Sequence, residues 1–211
     1  VAFTSPPYAS QRKYDESSGF KPIKPDAYVD WFEPVQANVR ASLADDGSWF
    51  VNIKAHCEDG QRSLYVHDLT LAHVRRWGWR FVDELCWTRN TVPGAWPNRF
   101  KNGFEPVFHF SGVVGVRFRP AHVSHKSQFA IKYSTHTHFS NTEAGYVEVD
   151  PRAKTEAQHS GLARPSNVIN CSKDFSGTAH SAPFPIGLPS FFIKAYSDPG
   201  DIIFDPFMGS G

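Results

Sequence analysis

The chain of 211 residues is long enough for one domain, or for one domain carrying an insertion. Hydrophobic residues make up 40% and charged residues 20%, which excludes wholesale disorder. A formal net charge of +1 excludes binding to nucleic acid through bulk charge alone.

Val1-Ala2-Phe3-Thr4 is β-prone and runs into Ser5-Pro6-Pro7-Tyr8, where two prolines stop a central strand. Residues 9–24 are polar and read as a mobile loop. From Pro25-Asp26, the residues Tyr28, Trp31, Phe32, Val35, Val39 and Leu43 recur at helical spacing, and Pro34 inside the run predicts a kink or two shorter helices. Asp45-Asp46-Gly47 is a turn, and residues 48–53 read as a buried strand. Residues 65–76 form a second helical pattern ended by Gly78, followed by strands at 79–87 and 106–110.

Residues 112–165 are rich in His, Ser, Thr and Lys, with short β-like pieces such as 113–118. They read as an insertion with little core of its own. The core signal returns with a helix at 188–196 and a strand at 202–204, which runs into Asp205-Pro206-Phe207-Met208-Gly209-Ser210-Gly211. Strands alternating with helices predict an α/β fold with a mainly parallel sheet. The expected organisation is 1–111, an insertion at 112–165, and 166–211.

Three cysteines, Cys57, Cys86 and Cys171, are widely spaced with no CxxC pair. That argues against a disulfide framework or a cysteine zinc site and suits a reducing cytosol. No signal peptide and no membrane-spanning apolar run is present. The pairs His122/His125 and His136/His138 match no standard zinc spacing, and no metal is expected. The 18 Phe, 7 Tyr and 6 Trp point to a large aromatic core, with some rings available to stack on flat ligands. Between Arg99 and Lys132 the cations Arg99, Lys101, Arg117, Arg119, Lys126 and Lys132 meet one acid, Glu105. Such a patch fits an enzyme that grips phosphates with one face, and equally a solvated surface.

Two motifs carry chemistry. An exocyclic amine on a base is a weak nucleophile, because its lone pair is delocalised into the ring. Acceptors around its hydrogens can aim that lone pair, and the Ser5 hydroxyl and Pro6 carbonyl are of the right type. Tyr8 can stack on a base extruded from a duplex, so the rate would come from positioning. Taken alone, the tetrapeptide also describes a loop with two prolines. The second motif, Asp205 to Gly211, places glycines past a strand, where a ligand can approach the backbone. Taken alone, it also describes a strand-to-helix turn.

Together, Ser5-Pro6-Pro7-Tyr8 and Phe207-Met208-Gly209-Ser210-Gly211 resemble the amino-methylating DNA methyltransferases of bacteria and phages, in the motif order of their β group. His180-Ser181-Ala182-Pro183-Phe184-Pro185 resembles a segment that helps bind S-adenosylmethionine, and Arg164-Pro165-Ser166-Asn167-Val168-Ile169 its lead-in. Gly47-Ser48-Trp49-Phe50-Val51-Asn52-Ile53 resembles the strand after the catalytic motif. Arg99-Phe100 with Phe104-Glu105-Pro106-Val107-Phe108 resembles a further block. The likeness fails only across about 112–163.

The resemblance implies a Rossmann-like methyltransferase fold, S-adenosylmethionine as cofactor and double-stranded DNA as partner, in the cytoplasm of a bacterium or as a phage product. It implies catalytic roles for Ser5, Pro6, Pro7 and Tyr8. Cofactor contacts are implied at Thr4, Phe184, Pro185, Asp205, Pro206, Phe207, Gly209 and Gly211. Arg12, Lys13, Arg117, Arg119, Lys126 and Lys132 are the candidate DNA contacts. Ser5 favours cytosine N4 over adenine N6, as the family pattern implies. The ends at Val1 and Gly211 suggest elements cut through, with the cofactor-binding part incomplete. A DNA-binding remnant and a half needing a complementing chain therefore stand as alternatives, and likeness to the β group implies a possible homodimer. Methylation of RNA or of a protein glutamine is a further one.

Overall fold

The computed structural model describes residues 1–10, 21–88, 96–126, 138–142, 145–149, 162–171 and 184–208, with backbone alone at 138–142 and 145–149. The chain divides into two units, Val1–Phe118 with Asn167–Gly211, and Arg119–Ser166.

The first unit is built on a five-stranded sheet. Its strands are β1 (Ala2–Thr4), β2 (Ser48–Asn52), β5 (Arg80–Thr88), β6 (Phe104–Ser111) and β11 (Val168–Asn170), in the order β1-β2-β6-β5-β11. β1 pairs parallel with β2, β2 and β5 pair antiparallel with β6, and β11 pairs parallel with β5. Four strands thus share one direction and β6 alone opposes them. The predicted strand at 202–204 contributes one parallel bridge, Ala2 with Phe204.

Alternation along β1 and β2 sends side chains to two cores. Ala2, Trp49 and Val51 face α1 (Tyr28–Ser42) and α2 (Tyr65–Arg75), while Phe3 and Phe50 face α3 (Gly187–Tyr196). The sheet therefore lies between helices on both faces, the usual solution for strands apolar on both sides.

Two expectations are corrected. Pro34 neither ends nor splits α1, which runs through it for 15 residues. A helix-interior proline costs about 3 kcal/mol. Here Pro34 faces solvent, while Tyr28, Phe32, Gln36 and Val39 are buried on the other side and hold the helix in place. Residues 113–118 form bends rather than strand, with Gly115 at φ +80°. The described part of the second unit holds two antiparallel pairs. One joins β7 (His125–Lys126) to β10 (Leu162–Ala163), the other β8 (His138–Thr142) to β9 (Gly145–Val149).

Candidate functional site

Because four strands run one way, their carboxyl ends define one edge of the sheet, and the reversed β6 begins at that edge. Ser5-Pro6-Pro7-Tyr8 leaves β1 there, Asn52 ends β2 there, and Glu105 enters with β6. Open α/β sheets bind ligands at this edge.

The motif is fixed by hydrogen bonds that begin at Tyr8. Its hydroxyl donates to Glu105 Oε2 at 3.0 Å and lies 3.3 Å from Asn52 Oδ1. Asn52 Nδ2 donates to the Pro106 carbonyl at 3.0 Å, which turns the amide oxygen toward Tyr8. Lys54 Nζ donates to Glu105 Oε1 at 3.0 Å, so the buried carboxylate has a cation on one oxygen and a phenol on the other. The Pro7 carbonyl accepts from the Tyr28 hydroxyl at 2.6 Å. Burial pushes the Tyr8 phenol well above its ordinary range, Glu105's charge adds to this, and a hydrogen bond from Ser5 opposes it. Tyr8 is therefore a neutral donor at working pH, not a base.

The second motif meets the first directly. Thr4, fully buried at the end of β1, donates from Oγ1 to Asp205 Oδ1 at 2.8 Å, and the Phe207 amide donates to the same oxygen at 2.9 Å. Phe207 lies half-buried, 6.0 Å from the Trp31 ring centroid. Strand pairing on one side (Phe204 N to Val1 O, 3.0 Å; Phe3 N to Phe204 O, 3.2 Å) brings Asp205 alongside Thr4.

A family model described as DNA methylase, covering the N6 and N4 enzymes, matches residues 1–211. The chain belongs to this DNA methylase family. It is 26% identical over 240 residues to the type II methyltransferase M.PvuII of Proteus hauseri, covering all of this chain and 68% of that protein. To M.MwoI of Methanothermobacter wolfeii it is 36% identical over 119 residues, 52% of this chain and 17% of the other. Among solved structures, the cytosine-N4-specific PvuII DNA methyltransferase superposes with a TM-score of 0.66 at 23% identity, over 97% of this chain and 66% of that one. The M1.HpyAVI–SAM complex gives 0.51 at 17% identity, over 100% and 72%. These superpositions establish a shared Rossmann-like fold. The methylase chain spans about two thirds of the length of M.PvuII.

Membership in the DNA methylase family implies S-adenosylmethionine as cofactor. The described residues fit it. The half-buried rings of Phe207 and Trp31, tilted by 33° to each other, stand beside the Asp205 carboxylate, which suits a ligand with an aromatic base and a positive charge.

Other predicted positions fall elsewhere. Phe184 packs edge-on against Phe3 at 5.4 Å, and Pro185 is buried, its carbonyl accepting from the Leu188 amide at the start of α3. Arg117 donates to Asp46 (2.8 and 3.0 Å) and Asp201 (2.6 Å), with Asp198 at 3.5 Å, so its guanidinium ties residues of its own unit together. Arg119 and Lys126 belong to the second unit. Arg12, Lys13, Lys132, Gly209 and Gly211 lie outside the described residues.

Sequence reasoning gave no role to Glu105, Lys54, Asn52 or Tyr28. Glu105 stood out as the lone acid of a basic stretch and as part of the block Phe104-Glu105-Pro106-Val107-Phe108 that resembles the family, with no role attached. Among the described residues, no helix is long and apolar enough to cross a membrane.

Proposed function

We propose that this methylase moves a methyl group from S-adenosylmethionine to the exocyclic amino nitrogen of a base extruded from double-stranded DNA, with cytosine N4 preferred over adenine N6. One observation carries the reading. The Thr4–Asp205 hydrogen bond of 2.8 Å joins the two motifs at one sheet edge, so a base at Ser5–Tyr8 and a donor at Asp205–Phe207 would be neighbours.

The cofactor supplies an electrophilic methyl on a sulfonium. With the cofactor bound, the amine lone pair would take this methyl, leaving the thioether form of the cofactor, and the proton lost from nitrogen would pass to solvent. The chain's own part is to bind and aim. Ser5 Oγ and the Pro6 carbonyl accept from the amino hydrogens and turn the lone pair toward the methyl carbon. Tyr8 presents its ring to the base, while Glu105 and Asn52 hold its hydroxyl and so fix where the ring sits. Pro7 is held by Tyr28, which fixes the loop's approach. Asp205, Pro206 and Phe207 are the cofactor side. Arg119 and Lys126 of the second unit are proposed phosphate contacts.

The test is methyl transfer from labelled S-adenosylmethionine to mixed-sequence duplex DNA, followed by nucleoside mass spectrometry. N4-methylcytosine is the expected product, lost in Ser5→Ala. N6-methyladenine would overturn the base assignment and keep the reaction. Label in RNA or protein and none in DNA would overturn the substrate class.

A further inference from the structure

The loop between β5 and β6 also sits at the carboxyl edge, and its described part, residues 96–103, has no role in the site above. Phe100 is 97% exposed, the most exposed large apolar side chain among the described residues. Burying a phenyl ring is worth about 1.5–3 kcal/mol, so a ring held wholly in water is a feature that a partner would complete. It follows a tight turn at Pro97-Asn98. Trp96 and Arg99 form an antiparallel bridge, and the Arg99 guanidinium lies 3.9 Å over the Trp96 ring. Arg99 also donates to Asn102 Oδ1 at 3.2 Å, as does Arg62 of the β4 strand (Gln61–Arg62) at 2.9 Å. These contacts brace the segment on both sides of Phe100.

The chemistry of the segment names its partner. Residues 96–104 contain Arg99, Lys101 and three aromatic rings and no acid, and Arg62 adds a cation from the neighbouring hairpin. Exposed aromatic rings among cations suit stacked bases between phosphates. Position agrees. Glu105, whose carboxylate holds Tyr8, is five positions along the chain from Phe100, and five steps span at most about 18 Å.

We infer that Phe100 is an apolar wedge that enters the duplex at the target site and fills the stacking gap left by the extruded base, with Lys101 beside it on the phosphate backbone. The inference rests on the proposed function. Extrusion costs a few kcal/mol of lost pairing and stacking, and a ring that refills the stack offsets part of it. The wedge therefore matters most when the target base is well paired.

That dependence supplies the experiment. The modified site is first mapped by sequencing plasmid methylated by the full chain. Wild type, Phe100→Leu and Phe100→Ala are then compared on two duplexes that differ only opposite the target base, one paired and one with an abasic position. Phe100→Ala is expected to be on the order of ten-fold slower on the paired duplex and within about three-fold of wild type on the abasic one, with Phe100→Leu in between. Equal loss on both duplexes, or no loss on either, overturns the wedge while the methylase reading stands. A wild-type chain that methylates no DNA overturns both. The ring touches almost nothing, so thermal melting of the variants is expected to match wild type.

Discussion

At the scale of single residues, the site depends on Glu105 as much as on the motif beside it. Glu105 is buried, bears on both Tyr8 and Lys54, and touches neither of the proposed reactants. It is a positioning residue, and its substitutions separate charge from shape. Glu105→Gln keeps an acceptor for Tyr8 and loses the ion pair; Glu105→Ala loses both and leaves the partly buried Lys54 ammonium without this counter-ion. Methyl transfer is therefore expected to fall further in Glu105→Ala than in Glu105→Gln, by roughly ten-fold or more, with kcat affected more than KM for DNA. Tyr8→Phe keeps the ring and loses the tether. Its rate is expected to lie between wild type and Tyr8→Ala, and a Tyr8→Phe as slow as Tyr8→Ala would show that the hydroxyl matters more than the ring. That Ser5 to Tyr8 leaves the end of a strand was legible, because two prolines stop β1 there. The contacts of Glu105 were not, because they come from β6 lying antiparallel to β2, a pairing such as Asn52 with Val107, 55 residues apart, that no local pattern encodes.

At the scale of elements, helix and strand positions were legible where apolar spacing is regular, as in α2, β2 and α3. The kink expected at Pro34 fails for a reason propensity cannot hold: the helix is kept by what it buries. Gln36 shows the same dependence. Its side chain is buried on α1 and accepts from the Trp79 indole at 2.9 Å, with Arg40 stacked over that ring at 4.6 Å. Gln36→Leu leaves the buried indole N–H without an acceptor, a loss of about 1–3 kcal/mol. Pro34→Ala restores a backbone donor on the solvent face and is expected to raise stability by about 1–3 kcal/mol, less what proline's stiffness withholds from the unfolded chain. Urea unfolding of the two variants is expected to move in opposite directions. A Pro34→Ala that unfolds earlier would show that α1 is shaped around the proline.

At the scale of the whole unit, the two cores on either face of the sheet each bury one histidine. His73 of α2 lies in the aromatic layer between Phe110, Trp49 and Trp77, its Nδ1 donating to the Leu69 carbonyl at 2.8 Å. His109 of β6 lies between Phe50 and Tyr196, with Nε2 at 2.9 Å from Ser48 Oγ. Among the described residues no carboxylate acts on either ring, so desolvation dominates and lowers His73 to about 4 and His109 to about 3. Unfolded histidine binds its proton near 6.5. Between 6.5 and those lower values the unfolded chain holds more protons than the folded one, and stability is lost as pH falls. The contribution is complete above about 6.5, and by pH 5 each histidine has given up on the order of 2 kcal/mol. These two rings therefore lower stability between pH 7.5 and 5. The urea midpoint is expected to drop across that interval, and the drop to shrink in His73→Gln. An unchanged midpoint would mean that water or a rearranged carboxylate reaches the rings. The consequence reaches the site, because His109 sits four residues along β6 from Glu105. Acid that loosens that strand also frees the carboxylate from Tyr8, so methyl transfer and stability are expected to fail over the same pH interval.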